Sequence, residues 1–143
     1  MSTRKDTIRQ RFDAVIASLV EAGEQPVAGA VVTSGPSPWL IGPLLQHMYF
    51  IEVTDRRVLF IKVSKGTASP KGLAWADPRD SVQVHDVAMD HGLNRKFRYR
   101  RSNGEDIRIN VDRFWREDGQ AVVAALTSHP QHAADGSESA NPS

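Results

Sequence analysis

Between Arg4 and Ala22, the apolar residues Ile8, Phe12, Val15, Ile16, Leu19 and Val20 recur at offsets of three and four. That is the one-sided spacing of an amphipathic helix, and Gly23 supplies a stop. After Gly23 the period shortens. "PVAGAVVTS" reads as one strand, "YFIEVTDRRVLFIKV" as two strands around a turn near Asp55-Arg56, and "SVQVHDVA" as another. The breaker-rich stretches "SGPSPWLIGP" and "SKGTASPKG" read as loops. "FWREDGQAVVAALTS" returns to helical spacing, with Trp115, Val122 and Leu126 along one side and Gly119 as a weak helix former near its start. The polar, small-residue stretch "HPQHAADGSESANPS" predicts a disordered tail.

The run "RKFRYRRSNGEDIRINV", Arg95 to Val111, sets six basic side chains beside five apolar ones. A two-residue loop on Asn103-Gly104 would place Arg100 opposite Ile107 and Arg98 opposite Ile109, mixing charge and hydrocarbon on each face. A three-residue loop of Ser102, Asn103 and Gly104 instead pairs Tyr99 with Ile107, Phe97 with Ile109 and Arg100 with Asp106. That register sends Phe97, Tyr99, Ile107, Ile109 and Val111 inward. Lys96, Arg98, Arg100 and Arg108 then face outward, with Asp106 and Asn110 among them.

A helix, a meander of strands and a closing helix predict a mostly β, α+β chain with a strongly bent antiparallel sheet. No strand is followed by the crossover helix that a parallel βαβ unit requires. At 143 residues the chain suits one domain with its own core. Residues 1–22 form the N-terminal helix, 23–128 the domain and 129–143 the tail. A formal net charge of +1 confines any electrostatic role to local patches. The absence of cysteine removes disulfides, thiolate catalysis and cysteine zinc sites, and fits a reducing compartment. Asp13 interrupts the first apolar stretch, so no signal peptide is expected. No run approaches the ~20 apolar residues of a spanning helix. The expectation is a cytoplasmic protein, with attachment to a membrane surface as a second reading.

Several constellations have the residue types of a reactive or binding site. His85-Asp86 and Asp90-His91 are sequence neighbours, which a regular strand would point to opposite faces, away from triad geometry. His129 and His132 flank Pro130 without carboxylate support, so no metal site is expected. "SGPSP" lacks the frame of a nucleophile elbow, and "SKGTASPKG" lacks the glycines and helix of a phosphate loop. No catalytic residue and no cofactor is predicted. Trp39, Leu40, Ile41, Leu44 and Leu45 lie among Pro36, Pro38 and Pro43 in a loop that would ordinarily be polar. They either fold back over the open end of the bent sheet or meet the N-terminal helix, or they form a hydrophobic interface with a partner, a second copy or a membrane.

The segments "AGEQPVAGAVV", "YFIEVTDRRVLFIKV" and "FRYRRSNGEDIRINV", followed by the helix with Trp115, resemble the bacterial pleckstrin-homology-like (PH-like) domains. The resemblance covers Gly23 to Leu126, and "VTDRRVLFI" is its most specific piece. It implies a seven-stranded, two-sheet partial barrel capped by the C-terminal helix, with the N-terminal helix as an addition, and a function of binding rather than catalysis. Phosphoinositide-binding members carry basic residues on the first two strands and the loop between them. Here "GAVVTSGPSPWLIGPLLQHMYFIEV" has no Lys or Arg. Lys62, Lys65 and Lys71 on the following loop keep a weaker headgroup contact open.

These readings favour a non-enzymatic PH-like binding or scaffold module acting through protein contacts or self-association. The alternative is peripheral attachment to anionic lipid through Lys96, Arg98, Arg100 and Arg108 and the lysine loop. Nucleic acid is the poorer partner, because inward-facing Phe97 and Tyr99 leave no aromatic platform beside the cations.

Overall fold

The computed structural model describes residues 4–34, 47–64, 66–90 and 94–127. Helix α1, Arg4–Leu19, precedes strands β1 (Pro26–Ser34), β2 (His47–Thr54), β3 (Arg57–Val63) and β4 (Pro70–Pro78). A 3-10 turn at Arg79–Ser81 leads to β5 (Gln83–Asp90), β6 (Asn94–Arg100) and β7 (Asp106–Val111). A second 3-10 turn, Arg113–Trp115, opens into helix α2, Arg116–Thr127. All strand pairings are antiparallel, in the order β4-β3-β2-β1-β7-β6-β5. Among the described residues the chain is mostly β, with two helices.

The expected two sheets are one hydrogen-bonded sheet of seven strands. They remain distinct only as arms, because β1 and β7 join through just two residue pairs, Thr33 with Asn110 and Ser34 with Ile109. The outer edges of β4 and β5 are not paired with each other, so the sheet is not a closed barrel. Helix α2 meets both arms, packing on β1 and touching β2, β5 and β6.

Two boundaries differ from the periodicity. Helix α1 ends at Leu19 rather than Ala22, because a turn takes over at Glu21. There the Glu24 amide donates to the Glu21 carbonyl at 2.9 Å, and the Glu24 carboxylate accepts from the Glu21 amide at 2.8 Å. Strand β4 begins inside the segment expected to be a loop, and its "PKGLAWADP" carries no clear strand alternation in the sequence. As an edge strand it tolerates proline at both ends, and its pairing to β3 shifts register twice.

Strands β2 and β3 are buried on both sides of the sheet. On one face Ile51 lies opposite Phe60, whose ring stands 5.0 Å from Tyr99 of the other arm. On the other face Phe50 stacks on Phe12 of α1, with ring centroids 4.5 Å apart. Ile8, Phe12 and Ile16 are buried, so α1 belongs to the core cluster. Lys5 pairs with Asp118 of α2, and Arg9 donates to the Gly29 carbonyl at 2.7 Å. The basic side of α1 therefore fastens the helix to the domain.

The β6–β7 hairpin adopts the three-residue loop. Phe97 pairs with Ile109, Tyr99 with Ile107 and Arg100 with Asp106. The Arg101 amide donates to the Glu105 carbonyl at 2.8 Å, and Gly104 takes a φ of 94°, which a side chain would resist. Phe97, Tyr99, Ile109 and Val111 are buried and Ile107 is half-buried, while Arg100 and Arg108 are exposed. This register predicts that Phe97→Asp abolishes the cooperative thermal transition, since it puts an unpaired charge into the core. Arg108→Glu should shift stability by no more than about 1 kcal/mol. Reversed outcomes in thermal denaturation would reverse the two faces.

Candidate functional site

The four hairpin cations stand on the outer face of β6 and β7, where the alternation places them. Carboxylates share that face. Arg98 Nη1 lies 3.7 Å from Asp106, and its Nε lies 4.0 Å from Asp86. His85 is drawn into the same cluster, contrary to the expectation for strand neighbours. Its Nδ1 lies 3.3 Å from Asp86 Oδ2, and its Nε2 lies 3.2 Å from Asp106 Oδ1. The cause is a break in β5: the pairing to β6 shifts register between His85 and Ala88, and Asp86 adopts a φ of 54°. This bulge swings the Asp86 carboxylate back toward the imidazole. Both ring nitrogens of His85 are thereby occupied by carboxylates, and neither is open to activate a nucleophile. Local acids also offset the basic hairpin face.

Lys62 and Lys71 lie in the opposite arm, on β3 and β4. They border an open groove of about 340 Å³, lined also by His47, Met48, Tyr49 and Val63. Both lysines are exposed, and neither has an ion-pair partner among the described residues. The groove has an amphipathic floor, since the Tyr49 ring packs edge-on against Phe60 and Trp75 at 5.6 and 5.1 Å. Thus the six described cations of the seven expected from the sequence fall on two separate parts of the sheet. Lys96, Arg98, Arg100 and Arg108 stand on β6 and β7, with two to four strands between them and Lys62 and Lys71 in the sheet order. Lys65, the loop residues Trp39, Leu40, Ile41, Leu44 and Leu45, His91, and the His129 and His132 pair lie outside the described residues. Among the described residues, no group of three or more His, Asp or Glu is placed to hold a metal ion, and no helix is long and apolar enough to cross a membrane.

The most connected polar groups were missed in the sequence because each lies remote from its partners. Asp77 on β4 is buried and accepts from Tyr99 Oη at 2.9 Å, Ser102 Oγ at 2.8 Å and Arg101 Nε at 3.3 Å. Burial, with Asp77 adding to it, pushes the Tyr99 hydroxyl up, so it stays a donor. Arg101 also lies over the Trp75 ring, 4.4 Å from its centroid. These bonds tie edge strand β4 to the tip of the β6–β7 hairpin. Arg79, also buried, donates to the Thr54 carbonyl at 2.9 Å and to the Ala125 carbonyl at 2.6 Å. It thereby brings a cation to the negative end of α2.

Glu24 makes the third tie. Its carboxylate receives Arg57 Nη2 at 2.7 Å, Arg57 Nε at 3.0 Å and Thr54 Oγ1 at 2.6 Å. Arg57 also reaches the Leu19 carbonyl at 2.9 Å, so one cluster joins the end of α1, the start of β1 and the β2–β3 turn. Each of these three clusters holds separate elements of the fold together.

No protein-family model matches this chain, and no curated protein sequence matches it.

The Glu24 cluster predicts an acid limb of stability. Arg57 holds the Glu24 carboxyl down to about 2, against the opposing effect of burial, from an ordinary value of 4.5. A carboxyl depressed on folding stabilises fully above its unfolded value and loses that contribution as pH falls toward its folded one. At about 1.4 kcal/mol per pH unit, the loss approaches about 3 kcal/mol. Glu24→Gln should be less stable at neutral pH and should show a flatter decline between pH 4.5 and 2, measured by urea unfolding. An unchanged acid limb would remove Glu24 as its source.

Proposed function

We propose that this chain is a non-enzymatic binding or scaffold module of PH-like fold, acting through protein contacts or self-association. The observation that carries this reading is the open sheet. The outer edges of β4 and β5 have no strand partner among the described residues. Each carries a large apolar side chain in solvent, Leu73 and Val87, both 42% exposed. An unpaired edge offers a row of amide and carbonyl groups to a further strand, and neighbouring side chains supply selectivity. Seven antiparallel strands followed by a helix that meets both arms support the PH-like assignment. The absorption of acids and bases into structural ties supports a binding role over catalysis.

A concentration series in sedimentation velocity tests self-association. Association that either Leu73→Lys or Val87→Lys abolishes, with the thermal midpoint preserved, is the expected outcome. A wild-type chain that stays monomeric throughout the series removes self-association from the reading.

Lys62 and Lys71 favour a second reading, peripheral attachment to anionic lipid. Two uncompensated cations at the rim of a groove with an aromatic floor suit a negatively charged headgroup, and the attraction must weaken with salt. The hairpin face suits this role less, because Asp86 and Asp106 sit within it. Sedimentation with anionic vesicles should retain the protein, whereas neutral vesicles should not, and Lys62→Glu with Lys71→Glu should release it. Binding that ignores lipid charge or survives this double reversal rules out the groove.

A further inference from the structure

The groove, the sheet edges and the His85 cluster bear on the reading above, but one buried ionisable group belongs to none of them. Glu52 lies on β2 and is only 2% exposed. It shares a face with Phe50, two residues earlier, whose ring stacks on Phe12 of α1. Across the sheet it pairs with Gly29 of β1, and with Leu59 of β3 on the other side. A Cβ at Gly29 would stand 2.4 Å from Glu52 Oε1 and 2.8 Å from the Phe50 ring, so this glycine leaves room for both side chains. The carbonyl of the same Gly29 accepts the Arg9 guanidinium. The carboxyl is therefore enclosed in the seam between α1 and the sheet.

Its surroundings suit a neutral acid. Gly29, Phe50 and Leu59 offer no charge, and no hydrogen bond from a described residue reaches the Glu52 oxygens. The charged groups facing it come from α1: Arg9, which favours ionisation, and Asp13, which opposes it. Burial outweighs Arg9 and pushes the carboxyl up to about 8. With the helix in place, Glu52 thus keeps its proton at neutral pH. Lifting α1 would let water reach the group and return it to an ordinary carboxylate.

We propose that α1 is a releasable cover seated on Glu52, and that loss of the Glu52 proton to solvent frees this helix while the sheet stays folded. The opposite face of the sheet makes such partial release feasible. Ile51, Phe60 and Tyr99 pack there across the two arms, without α1 between them. Ties such as Lys5 to Asp118 and Arg11 to the Thr67 carbonyl are partly or fully open to solvent, so water can replace them.

The sign follows from linkage. A carboxyl raised from 4.5 to about 8 by the covered state favours that state fully below 4.5 and loses its advantage as pH rises toward 8. The opening constant of α1 should therefore climb about tenfold per pH unit across this interval and level off above it. Amide hydrogen exchange in the intact chain, corrected for intrinsic exchange rates, reads this directly. In the wild type, α1 amides should show that climb while β2 and β6 amides do not. In Glu52→Gln the dependence should vanish. Asp13→Asn changes an exposed residue and removes the group that opposes ionisation, so it should move the levelling-off to lower pH. Identical profiles in wild type and Glu52→Gln would overturn the proposal. So would sheet amides opening with the same slope as α1, which would make the titration a property of global unfolding. If Glu52→Gln fails to fold, the Asp13→Asn profile decides: an unmoved levelling-off overturns the proposal.

Discussion

Burial of β2 and β3 on both faces is the constraint on which the rest of the structure depends. Neighbouring residues on a strand point to opposite sides, and Phe50 and Ile51 are both fully buried. One helix cannot satisfy both. The bent sheet folds its second arm over the Ile51 side, bringing Tyr99 against Phe60, and α1 covers the Phe50 side with Phe12. Each large side chain buried this way contributes roughly 1.5 to 3 kcal/mol. The N-terminal helix is thus a second wall, over the Phe50 side of a doubly apolar strand.

Walls on both sides leave the corners to be fixed, and polar groups fix them. The apolar contacts are non-directional, whereas Glu24, Asp77 and Arg79 each bind groups from separate elements at defined distances. All three are buried, so an unmade bond would carry the full desolvation cost of the group. Asp77 holds edge strand β4, paired only to β3, to the hairpin tip, Arg79 holds the end of α2 to the β2–β3 turn, and Glu24 holds the exit from α1 to that same turn. Of these joints Asp77 spans the two arms, adding to the two β1–β7 ladder pairs a second link between them.

What was legible in the sequence followed from short-range rules. In "RKFRYRRSNGEDIRINV" the turn and the alternation point to one register, and Phe97 and Ile109 pair as those rules require. The stripe from Ile8 to Leu19 likewise gave the buried face of α1. Strand β4 escaped because Pro70, Gly72 and Pro78 weaken the alternation and only an edge position excuses them. The His85–Asp86 contact escaped because one left-handed residue cancels the opposite-face rule. The polar ties escaped for a different reason: Glu24 and Arg57, or Tyr99 and Asp77, lie more than twenty residues apart, and no local pattern encodes the pairing. The cations divided in the same way. Sequence spacing grouped Lys62 and Lys71 with the hairpin arginines by charge alone, whereas strand order sends them to different arms.

The same constraint narrows where a partner can act. A basic amphipathic helix at the N-terminus suggests membrane attachment when read alone. Here Lys5, Arg9 and Arg11 are engaged with Asp118, the Gly29 carbonyl and the Thr67 carbonyl, and the apolar stripe is engaged with Phe50. Neither half of the amphipathic pattern is available while α1 is seated. Both become available together if it lifts, because one docking event occupies them. Among the described residues, what neither helix uses is the unpaired edges of β4 and β5 and the lysine-rimmed groove beside β4. Strand β4 belongs to both features and is held to the other arm through Asp77. The open edge is therefore coupled to the hairpin through Tyr99, Arg101 and Ser102, to the core through Trp75 stacked on Phe60, and to α1 through Arg11 at the Thr67 carbonyl just before β4.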